Sequence, residues 1–342
     1  MVIQYKCPSC GSDMSYDSDS GKLLCDSCGH QDDIAEFKEE LINKTFTDDE
    51  AVQYQCDNCG AVVITEPDTT ATHCSFCDAA VVLADRVSGV LAPKQVIPFK
   101  ISKETAMTAF NKWCNNGRFS PKEFMNMNRV KNITGMYVPY WMYDINNDVQ
   151  LSATGNKVRT YRQGDYIYTE TSIYEIERHL DLHYTNVPVD ASEKMNDTIM
   201  EKVEPYNYQD LKAFKTPYLA GFLAEKYSFD DKELYPRVKN KVTSYVNTYV
   251  NSTLTGYTSI TNRRDNRVVK QSKSQYVLFP VWMVYYDFDE KEHTFVMNGQ
   301  TGKVVGKPPL SYTKISLWIG GFTLGLFAII KILAGVIGGI WL

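Results

Sequence analysis

Eight of the nine cysteines lie in the first 77 residues, as four Cys-x-x-Cys pairs. Cys7 and Cys10 are followed after fourteen residues by Cys25 and Cys28. Cys56 and Cys59 are followed, again after fourteen, by Cys74 and Cys77. The offset is 49 residues, and Tyr5 and Gly11 of the first unit recur as Tyr54 and Gly60 of the second. A Cys-x-x-Cys pair can fold into a tight knuckle that presents two thiolates, with a glycine supplying the turn after Cys10, Cys28 and Cys59. Two knuckles joined by a hairpin close a tetrahedral four-thiolate site. The spacing therefore predicts two structural Zn²⁺ ions, with iron in a rubredoxin-like site as the alternative. Such a site has no open coordination position, so it stabilises a fold and does not catalyse. His30 and His73 adjoin the cysteines but read as bystanders, because four thiolates already fill each site.

The elements that must hold these thiolates are two zinc ribbons, residues 1–31 and 52–85, around a helical linker, residues 32–51. Ile34, Phe37 and Leu41 give the linker a small apolar face. Neither ribbon is large enough to build an adequate core without metal. Residues 1–85 carry four lysines and no arginine against seventeen acids, a net of −13, and residues 86–342 carry +8. Zinc with four thiolates adds −2 per site. Nucleic-acid modules carry basic patches that release counterions from phosphate. The acidic head lacks them and favours contact with protein.

The other end of the chain, Ile315–Leu342, holds one charge, Lys331, in 28 residues. As a helix it is about 42 Å long, enough to cross a ~30 Å hydrocarbon core. Residues 313–342 are therefore expected to form a single transmembrane helix. Lys303, Lys307 and Lys314 precede the span and nothing basic follows it, so the positive-inside rule places the body in the cytoplasm. That compartment disfavours disulfides and favours metal binding by the cysteines. Gly321/Gly325 and Gly335/Gly339 form two GxxxG pairs on one stripe with Ala328, a candidate face for homo- or hetero-oligomers. Lys331 beside it either snorkels outward or pairs with a partner's carboxylate.

Between the ends, residues 86–312 read as an α+β body of mixed antiparallel strands and helices. A helix is expected over Lys103–Asn115 with Ser102 as its N-cap and Met107, Phe110 and Cys114 on one face, which makes Cys114 a small buried hydrophobe. MYVPYWMYDI, QLSATGNKVRTYR and DYIYTETSIYEIERHLDLHY read as strands broken at Gly-Asn and Gly-Asp turns. A helical insertion near 190–250 follows, with Asn196 or Asp197 capping one helix that Pro205 ends. Asp230 and Glu233 are placed like a capping box for a helix over Asp230–Thr248, whose early turns Pro236 strains. The chain then returns to strands and ends in a hairpin at Asn298-Gly299 and Thr301-Gly302. VPYWM (138–142) and FPVWM (279–283) share a PxWM core.

No GxSxG, P-loop, HExxH or dinucleotide fingerprint is present, and Asp144, Asp287 and Asp289 show no spacing that couples them. His179, Asp181 and His183 share an exposed strand face without a third ligand partner. The run Arg263, Arg264, Arg267, Lys270, Lys273 reads as a solvated face, or one that meets lipid phosphates, a partner or the acidic head.

The paired ribbons, YVPYWMYD, NVPVDASEKMNDTIMEKVEPYNYQDLKAF, YLAGFLAEKY and the MNGQTGKVVG before the tail resemble a family of TFIIB-type zinc-ribbon membrane proteins of Bacillota. The resemblance implies a non-enzymatic membrane protein working beside PspA-like and flotillin-like SPFH proteins at the bacterial membrane, in envelope stress. The reading is a tail-anchored scaffold. Its rivals are a membrane-tethered nucleic-acid binder and, further off, an enzyme whose site the sequence does not reveal.

Overall fold

The computed structural model describes residues 2–37, 52–56, 62–65, 69–74, 79–83, 92–115, 119–121, 133–288, 291–306 and 308–338. In chain order, β1 (Val2–Ile3) precedes a three-stranded sheet of β2 (Ser15–Asp17), β3 (Lys22–Leu24) and β4 (Gln31–Asp32). A 3-10 turn at Ile34–Glu36 follows, capped by Asp33, whose carboxylate accepts from the Ala35 N–H. The rest of the expected linker helix lies outside the described residues. β5 (Val52–Gln55) pairs with β6 (Val62–Thr65), and β7 (Thr69–His73) with β8 (Ala80–Leu83).

The body contains β9 (Gln95–Val96), α1 (Lys103–Asn115), β10 (Thr134–Gln163), β11 (Tyr166–Asp190), α2 (Asp197–Val203), β12 (Lys212–Ala213) and β13 (Leu223–Glu225). It ends with α3 (Tyr235–Ser252), β14 (Ser259–Phe288), β15 (Lys291–Asn298), β16 (Val304–Val305) and α4 (Tyr312–Gly338). The fold is α+β and dominated by one sheet, in the order β1-β8-β7-β13-β10-β14-β15-β16, with β11 on β10 and β9 beside β14. The head is thus woven into the body. β1 pairs with β8, and β7 pairs with β13, so a boundary at 85/86 does not separate two sheets.

β10, β11 and β14 run antiparallel as the long spine of the molecule. The related motifs lie on adjacent strands, with Val138 opposite Phe279. Gly155-Asn156 is not a turn. β10 runs straight through it, and the chain reverses at Gly164, which has φ +62°. Gly155 is required for a different reason: a Cβ there would stand 2.5 Å from the Tyr257 ring and 2.7 Å from Ile176. Pairing of β10 with β14 ends at Asn156 and Ser259, so the hairpin continues beyond it on two strands.

α1 spans the expected residues, with the Ser102 hydroxyl accepting from the Thr105 N–H at 3.4 Å. Asn196 caps α2 through the Ile199 N–H. Asp230 and Glu233 exchange the two reciprocal backbone–carboxylate bonds of a capping box, both 2.8 Å. They close a turn, and α3 begins after it at Tyr235. Pro236 therefore falls in the first helical turn, where no N–H is needed, and strains nothing. Val238, Val242, Val246 and Val250 recur every four residues and are buried against Val149, Leu151, Ala153 and Ile176 of the spine. Valine is a weak helix former, so this packing and not propensity holds α3.

Candidate metal centre

The Sγ atoms of Cys7, Cys10, Cys25 and Cys28 all lie within 4.8 Å of one another. Cys7 stands 3.5 Å from Cys28, and Cys10 stands 3.5 Å from Cys25. Sulfurs around a tetrahedral ion with ~2.3 Å Zn–S bonds are about 3.8 Å apart, so the four thiolates fit a single metal ion. Two knuckles create this. The Cys7 N–H donates to the Ser12 carbonyl and Gly11 N–H to the Cys7 carbonyl, both 2.8 Å. The Cys25 N–H donates to His30 at 2.9 Å and Gly29 N–H to Cys25 at 2.8 Å. Gly11 and Gly29 take φ of +75° and +76°, the left-handed turn expected after each second cysteine.

Cys7 and Cys25 are buried, and Cys10 and Cys28 are exposed. The Ser12 hydroxyl and N–H hold the Cys10 thiol down to about 6. Although the His30 N–H favours its thiolate, Cys28 is pushed up to about 12 by Cys10 and Cys7. Crowded thiols resist losing their last proton, and a bound cation removes that resistance. His30 points elsewhere, sharing hydrogen bonds with Asp32 at 2.9 Å and Ser9 at 3.4 Å.

Of the second set, Cys56 and Cys74 are buried, while Cys59 and Cys77 lie outside the described residues. Cys74 repeats the knuckle bond, its N–H donating to the Ala79 carbonyl at 2.9 Å. The Gln4 amide donates to Cys56 Sγ at 3.6 Å, tying the start of the chain to the second set.

The surroundings of the first site were not legible in the sequence. The Tyr16 N–H donates to the Ala220 carbonyl at 2.9 Å, and its ring meets Tyr218 edge-on at 5.6 Å. Tyr5 shares a 2.6 Å hydrogen bond with Thr216. Lys215 Nζ donates to the carbonyls of Ile34, Ala35 and Phe37 at 2.9–3.1 Å, neutralising the end of the 3-10 turn. Cys7, Cys25, Met14 and Leu23 share one apolar cluster with Phe99, Tyr137, Phe222 and Trp282 of the body.

The remaining candidates resolve differently. Cys114 is buried, and burial pushes its thiol up to about 11, as suits a packing residue. His183 Nε2 lies 3.4 Å from Asp181 and its Nδ1 2.8 Å from Asn146. Among the described residues, only the Cys7 set gathers three or more possible ligands. The basic run is split by strand alternation. Arg263 and Arg267 both grip Asp265, at 3.1 and 2.6 Å, and reach Asn251 and Asn247 of α3. Arg264, Lys270 and Lys273 remain exposed.

At the far end, α4 is long and apolar enough to cross a membrane, and none of its described span, Tyr312–Lys331, is buried against the protein. Its base is fixed: Ser311 N–H and Lys314 Nζ donate to the Phe119 and Ser120 carbonyls, each at 2.6 Å, and Trp318 meets Phe119 edge-on. Lys331 stacks over the Phe327 ring at 5.7 Å. A Cβ at Gly321 or Gly325 would meet nothing within 4 Å, so that first pair is open; the surroundings of Gly335 and the whole of Gly339 lie outside what is described.

Fold and site together define a sheet-dominated α+β protein with a four-cysteine cluster that could hold a metal ion near one end of the chain and an exposed apolar helix near the other. Within that class, the uncharacterized protein YdjG of Bacillus subtilis (strain 168) is 54% identical over 340 residues, covering 99% of each chain. The chain belongs to the YdjG family. No family model matches it, and no solved structure does either.

Proposed function

We propose that this chain is a tail-anchored, non-enzymatic zinc-ribbon scaffold of the TFIIB-type class. α4 sits in the cell membrane with the body in the cytoplasm, and the head and body position partner proteins there. Both cysteine sets hold Zn²⁺, the second through Cys56, Cys59, Cys74 and Cys77. The partners are flotillin-like SPFH or PspA-like proteins, acting in envelope stress. The observation that carries the reading is that an apolar helix bonded to the body at Lys314 and a four-cysteine site built into the body's core occur in one chain. Closed sites give rigidity and not turnover. The acidic head favours a basic protein surface over nucleic acid. Exposed ion pairs contribute only ~0–1 kcal/mol each, so recognition needs several of them together with apolar contacts.

The test is capture of the full-length protein from cross-linked membranes. Co-recovery of an SPFH or PspA-like protein, lost when acids of the head are changed to lysine, is expected. Recovery of DNA or RNA at physiological salt in place of protein would install the membrane-tethered nucleic-acid binder instead.

A further inference from the structure

The two-stranded end of the β10–β11 hairpin carries the main apolar exposure outside α4. Tyr166, Ile167 and Ile173 are each more than 70% exposed (72%, 73% and 72%), and Tyr161, Tyr168 and Tyr174 stand beside them. β11 pairs only with β10 among the described residues, so its outer edge from Tyr166 to Leu182 presents unpaired backbone groups. An edge of that length is a template for another strand.

Charge selects the occupant. The edge carries Glu170, Glu175, Glu177 and Asp181, with Arg178 as its one fixed cation. A two-fold axis normal to the sheet pairs a strand antiparallel with itself about a central residue and keeps each side chain on its own face. Centring on Glu175 or Glu177 sets that acid against itself. Centring on Ile176 sets Glu175 against Glu177, and on Arg178 sets Glu175 against Asp181. Centring on Tyr174 sets Glu170 opposite Arg178 twice and opposes no like charges. In its own hairpin Glu170 already faces Arg159, and Arg178 donates to the Glu177 and Thr253 carbonyls. The same register lays exposed Tyr166 and Tyr168 of one copy beside Leu182 and Leu180 of the other. That face carries α3, with its exposed Tyr245 and Tyr249. The β14 edge, with Arg264, Lys270 and Lys273 exposed and Asp265 taken up by Arg263 and Arg267, repels its own kind and leaves β11 as the self-complementary edge.

We propose that β11 pairs antiparallel with β11 of a second copy across a two-fold axis at Tyr174, joining two three-stranded spines into one six-stranded sheet. This is independent of which proteins the scaffold recruits. The experiment uses the full chain in detergent, with its mass read by light scattering. Wild type is a dimer. Glu170→Arg and Arg178→Glu each weaken dimerisation about tenfold or more, because an attractive pair becomes a repulsive one at two symmetric places, and the two together restore it. p-Benzoylphenylalanine at Tyr174 gives a chain-to-chain photoproduct. A monomeric wild type, single variants that keep the wild-type mass, or a double variant that is folded by circular dichroism yet stays monomeric overturns the proposal.

Discussion

The Tyr16 hydroxyl donates to the backbone carbonyl of Phe99 across 3.4 Å, joining the hairpin beside the four-cysteine site to the first segment of the body. Phe99 in turn stacks on Phe222 with ring centroids 4.1 Å apart and planes 6° from parallel. The four-cysteine site therefore stands on a core that it shares with the central sheet.

That arrangement changes what disrupting the four-cysteine site does. Two isolated ribbons would unfold alone, whereas here Cys25→Ser withdraws Leu23, Met14 and Tyr16 from the shared cluster. We expect the thermal unfolding of the whole protein, followed by circular dichroism, to move down by several degrees. A transition of the body at the wild-type temperature would show that the two parts are uncoupled.

Gly221 tests the junction from the other side. Its φ is +88°, and a Cβ would stand 3.0 Å from Ser15 Cβ. Gly221→Ala combines left-handed strain with a clash against the ribbon, at a cost of about 1–3 kcal/mol. Limited proteolysis should then cut the first forty residues before the body, and unchanged protection would refute the contact.

Metal content discriminates between one site and two. The knuckle bond at Cys74 repeats that at Cys7 and Cys25, so freshly prepared protein should contain two equivalents of tightly held metal by elemental analysis. Cys74→Ser should leave one. A single equivalent in the unaltered protein would confine metal binding to the Cys7 set.

Asp190 sets a pH dependence. Burial raises its carboxyl from 3.8 to about 6, against the opposing pull of Arg237, which donates to Oδ1 at 2.5 Å; Oδ2 has no hydrogen-bond partner among the described residues. Burial likewise raises Glu204, against Lys241. For an acid raised on folding, the protonated form favours the folded state. The contribution is complete below about pH 4 and is lost as pH rises through 6. Urea unfolding should therefore show stability falling by about 1–2 kcal/mol between pH 4.5 and 6.5. Asp190→Asn should flatten that slope, and an unaltered slope would assign it elsewhere. Asp17, Asp210 and Asp265 are held below the usual carboxylate range by hydrogen bonds or cations, so their contribution is lost at lower pH.

Topology is measurable directly. A reporter after Leu342 should be active only outside the cytoplasm, and one before Met1 only inside. Truncation after Leu310 should release a soluble protein, and firm membrane attachment of the truncated chain would locate lipid binding in the body.

What the sequence disclosed follows from how local each signal is. The Cys7, Cys10, Cys25 and Cys28 knuckles, the Ser102 and Asn196 caps and the apolar helix near the tail depend on neighbours a few residues away, and these appear where expected. Gly155 misled because a glycine needed for close approach to Tyr257 looks the same in one dimension as a glycine needed for a turn. The weaving of β1, β7 and β8 into the body was hidden because strand pairing such as Ala71 with Ala224 joins residues far apart in the chain. Tyr16 and Lys215 carry no local mark of their task, since what they contact arrives only when the sheet closes.

β10 has a mechanical meaning beyond its pairing. Thirty residues at ~3.3 Å each give a contour of roughly 95 Å, more than twice the length of the 27-residue α4. Its root, at Thr134 and Gly135, is clamped: a Cβ on Gly135 would stand 2.6 Å from the Phe222 ring and 2.9 Å from Trp282. α3 braces the spine as far as Ala153 and Ile176, so what projects freely is the two-stranded tip beyond Asn156 and Ser259. Copies joined along β11 would overlap only from Tyr166 to Leu182, and the separation of their cores would be set by where along the strand the overlap begins.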